Sequence, residues 1–175
     1  VLISARLQSN KPSVGLARVD LREILGACYN KAKERFSDTR VFEFKYPNLE
    51  KNDPLFLLGN PYHLSTLFDN LLDNAVKYTN LNGHIILETI IKKDQFVISV
   101  TDNGCGIEKE NLKKIFEKFY RIDNQSQTII KGSGLGLSVC YSIVREHSGK
   151  IYASSDGLNK GSTFYVELKR LSSHN

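Results

Sequence analysis

At 175 residues and 41% hydrophobic content, the chain can bury one sizeable core and is too short for two independent ones. Its net charge of +5 comes from 24 Lys and Arg against 19 Asp and Glu, scattered without a dense basic run or interleaved aromatic repeat. This argues against nucleic acid as a ligand, and an anionic phosphate ligand accounts for part of the surplus equally well. No apolar run approaches the roughly 20 residues that cross a bilayer, and no succession of charged, apolar and small residues marks a secretory signal. Cys28, Cys105 and Cys140 are too few and too scattered for a disulfide framework or a zinc site, which suits a reducing cytoplasm. Because the chain opens on Val1 and contains no Met, it is expected to be a soluble segment of a longer protein.

Residues 1–19 have mixed polarity, carry the turn-prone Lys11-Pro12-Ser13 and Gly15, and read as a connector. Asp20 stands as an N-cap before LREILGACYNKAKERF, where Leu21, Ile24, Leu25, Cys28, Ala32 and Phe36 recur at helical spacing and Gly26 weakens the helix slightly. Residues 41–46 alternate in strand fashion and 55–58 form a second short apolar run. Asn60-Pro61 then begins the clearest helix, a capping side chain followed by a proline whose fixed backbone angle suits the first helical position. Leu64, Leu67, Phe68, Leu71, Leu72, Ala75 and Val76 form its apolar stripe, and Asn70, Asp73, Asn74 and Lys77 a polar stripe beside it. Residues 85–91 and 96–101 are rich in β-branched side chains and read as an antiparallel hairpin. After a polar stretch, 137–147 has helical periodicity with Gly149 placed to end it, and 150–154 with 163–168 reads as a final hairpin. Strands grouped against a few helices, with little βαβ alternation, predict an α+β two-layer sandwich.

Three local patterns carry chemistry. Asn70, Asn74 and Lys77 lie at i, i+4 and i+7, so one helical edge presents two amide carbonyls and an ammonium. Such an edge suits Mg2+, a hard cation that binds oxygen and keeps several waters, together with phosphate; an ordinary solvated helix face has the same composition. In DNGCGI (102–107), Asp102 ends a strand, and Gly104 and Gly106 let the backbone turn and a planar ligand approach. A carboxylate there accepts a hydrogen bond from the adenine amino group and repels the guanine carbonyl, although a plain hairpin turn fits the same letters. In GSGLGL (132–137), alternate glycines open a helix, whose exposed N–H groups and positive end can cradle phosphate oxygens; a loop without ligand is the alternative.

With FDNLLDNAVKYT (68–79) and IFEKFYRID (115–123), these segments resemble, in order and interval, the catalytic and ATP-binding domain of bacterial sensor histidine kinases, over about residues 20–170. The resemblance implies a Bergerat-type fold with a mixed sheet of about five strands on about three helices and a mobile ATP lid over about 121–133. It implies ATP and Mg2+ as cofactors, with Asn74 as the Mg2+ ligand, Lys77 as a phosphate contact and Asn70 and Tyr78 in support. It places Asp102, Gly104, Gly106 and Ile107 at adenine, Gly132, Gly134, Leu135, Gly136 and Leu137 at phosphate, Thr163 in the last glycine box, and Phe116, Phe119 and Tyr120 at the lid base. Arg121 is expected to reach the terminal phosphate. Related gyrase-type and chaperone ATPases carry a water-activating glutamate one turn before the metal asparagine; here that position is Asn70, which argues against hydrolysis and for transfer to another acceptor.

None of His63, His84, His147 and His174 has the sequence surroundings of a phosphoacceptor, so the acceptor is expected upstream. The expected organisation is a connector at 1–19 from a dimerisation and phosphoacceptor domain, the ATP-binding domain at 20–171 and a tail at 172–175. The expected function is transfer of the ATP γ-phosphoryl group to a histidine of that other domain in two-component signalling, with a cognate response regulator and no nucleic acid as partners. The domain is expected in the cytoplasm and its parent anchored in the membrane. A regulatory nucleotide-binding module and an anti-sigma-type serine kinase are the alternatives.

Overall fold

A computed structural model describes residues 15–45, 55–122 and 133–171. Strand β1 (Ala17–Asp20) pairs antiparallel with β3 (Phe56–Gly59), Ala17 opposite Gly59 and Asp20 opposite Phe56. Helix α1 (Leu21–Phe36) begins directly at Asp20, whose carboxylate accepts the Arg22 N–H and the Leu55 N–H, each at 3.0 Å. One side chain thereby caps the helix and fastens the start of β3 to it. Leu21, Leu25, Cys28 and Ala32 form the buried stripe of α1.

Helix α2 (Pro61–Tyr78) starts as its sequence predicts: Asn60 Oδ1 accepts from Tyr62 N at 3.0 Å and His63 N at 3.2 Å. All seven residues of the apolar stripe are buried, from Leu64 to Val76. The main sheet takes β2 (Arg40–Lys45), β4 (Gly83–Lys92), β5 (Gln95–Asp102), β6 (Lys150–Ser154) and β7 (Ser162–Lys169) in the order β2-β4-β5-β7-β6. β2 and β4 run parallel, because the connection between them carries β3 and α2 away from the sheet and back; the other pairs are antiparallel. Ile85, Leu87, Ile98, Val100, Phe164 and Val166 form the buried face of the sheet, joined to the α1 and α2 stripes in one core. The α+β sandwich of five main strands and three helices is the architecture its pattern predicts.

Helix α3 (Gly136–Glu146) packs on α2 and β6. It ends just before Gly149, as expected, although Gly149 does not supply a left-handed turn. Ser148 takes that conformation, with φ +53, while Gly149 is required for room: a Cβ there would lie 2.5 Å from the Glu167 carbonyl. At the same junction His147 is buried, its Nε2 accepting the Asn60 N–H at 3.0 Å and its Nδ1 bonded to Ile143 O at 2.7 Å. A ring that accepts at Nε2 and donates at Nδ1 is the neutral imidazole in one tautomer, so His147 ties the end of α3 to the start of α2.

Candidate functional site

The last two turns of α2 carry the polar edge read from the sequence. Asn70, Asn74 and Lys77 are half-buried, and the Lys77 ammonium lies 5.0 Å from the centroid of the exposed Tyr78 ring. The Asn70 side-chain oxygen lies 3.5 Å from the position a Cβ on Gly136 would take, so this edge faces the start of α3. The two carboxylates flanking Asn70 turn elsewhere. Asp69 pairs with Lys31 of α1 at 2.6 Å, and Asp73 lies 3.8 Å from Arg35 of α1. Burial raises the Asp73 carboxyl above its ordinary pKa and nearby Arg35 opposes that shift. Neither carboxylate is directed at the edge that Asn70 shares with α3.

Asp102 ends β5 at 5% exposure. Its Oδ1 accepts the Gly104 N–H at 2.8 Å and its Oδ2 accepts the Ser162 hydroxyl at 2.6 Å. Burial raises the pKa of this carboxyl, and the hydrogen bonds from Ser162 and Gly104 oppose the rise. A carboxylate offers about four lone-pair sites, so acceptor capacity remains beyond these bonds. The loop that follows is seated on backbone from three sides: Cys105 N donates to Tyr78 O at 3.0 Å, Asn159 N to Cys105 O at 2.7 Å, and Gly161 N to Gly104 O at 3.1 Å. Gly104 and Gly106 are glycines for lack of space, since a Cβ would fall 2.1 Å from Tyr78 O and 2.0 Å from Gly157 O, respectively. Ile107 is buried, its N–H held by Ser155 Oγ at 3.0 Å, and Thr163 sits with its hydroxyl 3.1 Å from that of Thr101.

The third part is the base of α3. Gly134 has φ +70, and a Cβ there would touch Phe119 backbone at 3.0 Å; Phe119 N in turn donates to Gly134 O at 3.1 Å. Phe119 itself has φ +64 and is 70% exposed, a conformation L residues rarely adopt. Tyr120 donates its hydroxyl to the buried Asn111 Oδ1 at 2.6 Å, and Phe116 meets Phe164 edge-on at 6.3 Å between centroids. Leu135, Gly136 and Leu137 are half-buried, and no side chain among the described residues caps α3. Arg121 is exposed; Gly132 and most of the expected lid (residues 123–132) lie outside the described residues.

The fold thus joins the α2 edge to the α3 base through Asn70 and Gly136, and joins α2 to the Asp102 loop through Tyr78 and Cys105. Ser162 was not singled out by sequence reasoning, although it lies within the quoted GSTF segment; its place opposite Asp102 follows from β5–β7 pairing, which one-dimensional patterns do not specify. Asn111 and Arg40 were missed for the same reason. No group of three His, Cys, Asp or Glu able to hold a metal ion occurs among the described residues. A cation here would rest on an amide oxygen, water and a phosphate ligand, a set that suits Mg2+.

A family profile described as histidine kinase-, DNA gyrase B- and HSP90-like ATPase matches residues 59–172. The chain belongs to this ATPase family. Membership implies an ATP site, and the desolvated Asp102 acceptor and the open polar edge of α2 are of a kind to serve one. The chain is 40% identical to the sensor protein RprX of Bacteroides fragilis over 126 residues, which cover 71% of this chain and 24% of the relative. It is 31% identical to the signal transduction histidine-protein kinase BaeS of Escherichia coli over 153 residues, covering 87% and 32% respectively. The chain therefore spans about a quarter to a third of the length of these relatives. Among solved structures, the nucleotide-free catalytic domain of the histidine kinase ThkA superposes with a TM-score of 0.75 at 27% identity, over 89% of this chain and 97% of that one. No helix among the described residues is long and apolar enough to cross a membrane.

Proposed function

We propose that this ATPase-family domain binds Mg-ATP and transfers the γ-phosphoryl group to a histidine in a separate dimerisation domain of its parent, for relay to a response regulator. The observation that carries the reading is the polar edge of α2 facing the glycine-flanked start of α3, with the buried Asp102 loop bonded to the end of the same helix. Adenine recognition falls to Asp102, whose free acceptor capacity suits an amino group and repels the guanine carbonyl. Asn74 would supply a Mg2+ oxygen, with Asn70 beside it, and Mg2+ when bound would neutralise charge on the phosphates. Lys77 leaves the Tyr78 ring to meet phosphate, and Arg121 adds a cation where charge accumulates in transfer. Gly132, Gly134, Leu135, Gly136 and Leu137 would cradle the phosphate chain with backbone N–H groups at the α3 end. Ile107 and Thr163 would line the adenine end.

The disposition of the carboxylates favours transfer over hydrolysis. With an amide at position 70, and Asp69 and Asp73 turned to α1, α2 offers no base to an attacking water at this edge. Catalysis then rests on positioning and charge, and the acceptor comes from outside this chain. The parent is placed at the membrane by this reading, with the present domain on its cytoplasmic side. Titration calorimetry of the 175-residue chain with non-hydrolysable ATP and GTP analogues tests it. Adenine-selective binding that strengthens with Mg2+, and loses that Mg2+ effect in Asn74→Ala, is expected. Equal binding of both bases, or none, overturns the assignment.

A further inference from the structure

Helix α2 ends with carbonyls that have no partner inside the helix. Two are met by other elements: Val76 O accepts from Nη2 of Arg40 on β2 at 3.2 Å, and Tyr78 O accepts from Cys105 N in the Asp102 loop. The same Nη2 also donates to Thr79 O, and Nη1 donates to Thr39 O at 2.8 Å. The guanidinium therefore holds the two carbonyls that bracket Lys77 and Tyr78. A cation at a helix C-terminus is favoured by the helix dipole, and the fork lets Nη2 meet the α2 end while Nη1 holds Thr39 O, a span that one ammonium does not cover. The Arg40 Nε is buried without a partner among the described residues, so this placement carries a cost that a solvated side chain would avoid.

The segment Arg40 braces contains the Tyr78 carbonyl on which the nucleotide loop rests. A Cβ at Gly104 would lie 2.1 Å from Tyr78 O, so the loop has no slack against that carbonyl. Asp102 lies two residues away, tied to Gly104 N at 2.8 Å. We propose that Arg40 is a positioning residue of the nucleotide site: by holding Val76 O and Thr79 O it fixes the Tyr78 carbonyl beneath Gly104 and Cys105, and so sets the direction of Asp102 and the reach of Lys77. This rests on the ATP-site reading above.

The test compares the 175-residue chain with Arg40→Gln and Arg40→Lys. Amide exchange is followed by mass spectrometry, and adenosine and an ATP analogue are titrated well below the unfolding temperature. Arg40→Gln is expected to speed exchange around residues 76–79 and 104–107 about tenfold, leave α1 and β7 unchanged, and weaken adenosine about tenfold and the ATP analogue by at least as much. Arg40→Lys recovers part of both effects. Exchange that rises evenly across the chain with unaltered affinity reduces Arg40 to a structural residue and overturns the proposal. If Arg40→Gln does not fold, Arg40→Lys with wild-type exchange and affinity overturns it equally. A wild-type chain that binds neither ligand refutes the ATP reading instead, while local exchange still judges whether Arg40 holds the loop.

Discussion

In the proposed site, Asp102 concentrates the chemistry in one side chain. It is removed from water, and burial outweighs its hydrogen bonds from Ser162 and Gly104, so its carboxyl lies above the ordinary 3.8. The sign of the linkage follows: the folded state holds the proton more tightly than the unfolded one. The contribution of Asp102 to stability is therefore fully present below pH 3.8 and lost as pH rises through the raised value. In the proposed site nucleotide binding runs the other way, because the acceptor would be the ionised form. On the proposed reading, affinity for ATP is expected to decline on acidification through that raised value, before an ordinary carboxylate would protonate, and calorimetry at successively lower pH from neutrality reads this. Asp102→Asn keeps an acceptor for Gly104 N and offers a donor to Ser162. It should leave urea stability at neutral pH within about 1 kcal/mol while lowering ATP affinity about 10- to 100-fold. Unchanged affinity in that variant would remove Asp102 from adenine recognition.

Among the elements, α2 organises the rest. Its first turn is bound to α3 through His147, its polar edge faces α3 through Asn70, and its last carbonyls take Arg40 and Cys105. The His147 link is buried at both ends, so replacing the ring leaves the Asn60 N–H without its partner, while Ile143 O keeps only the His147 backbone N–H. His147→Leu is expected to cost about 1–3 kcal/mol in urea unfolding, the range for an unsatisfied buried polar group. Because the junction lies at the far end of α2 from Tyr78, nucleotide affinity in that variant should stay within about twofold of wild type. A stability cost near zero would mean that water replaces the ring. The second contact there, His63 Nδ1 with Glu146 at 2.8 Å, is solvent-exposed and should matter far less.

At the scale of the molecule, the three thiols report on the fold separately. Burial raises Cys28 to about 11 and pushes Cys140 up further, and both are buried; Cys105, half-buried in the nucleotide loop, is raised by burial and by Asp102. An alkylating reagent should therefore modify one thiol per native chain, slowly at neutral pH, and ATP should slow it further. Rapid modification of Cys28 or Cys140 in the native chain, or no protection by ATP, would contradict this arrangement. The sequence by itself determined the three helices, the caps Asp20 and Asn60, the central hairpin and the four site segments. Each of these signals is local, written in residues three or four apart on a helix or alternating along a strand. Only the tertiary structure decided that β2 runs beside β4 while β3 leaves the sheet to pair with β1. It also set Ser162 against Asp102, 60 positions away in sequence, turned Asp69 and Asp73 to α1, and brought Arg40 to the end of α2. Those contacts depend on strand register and on the direction in which α2 crosses the sheet, and register follows from how the whole core packs.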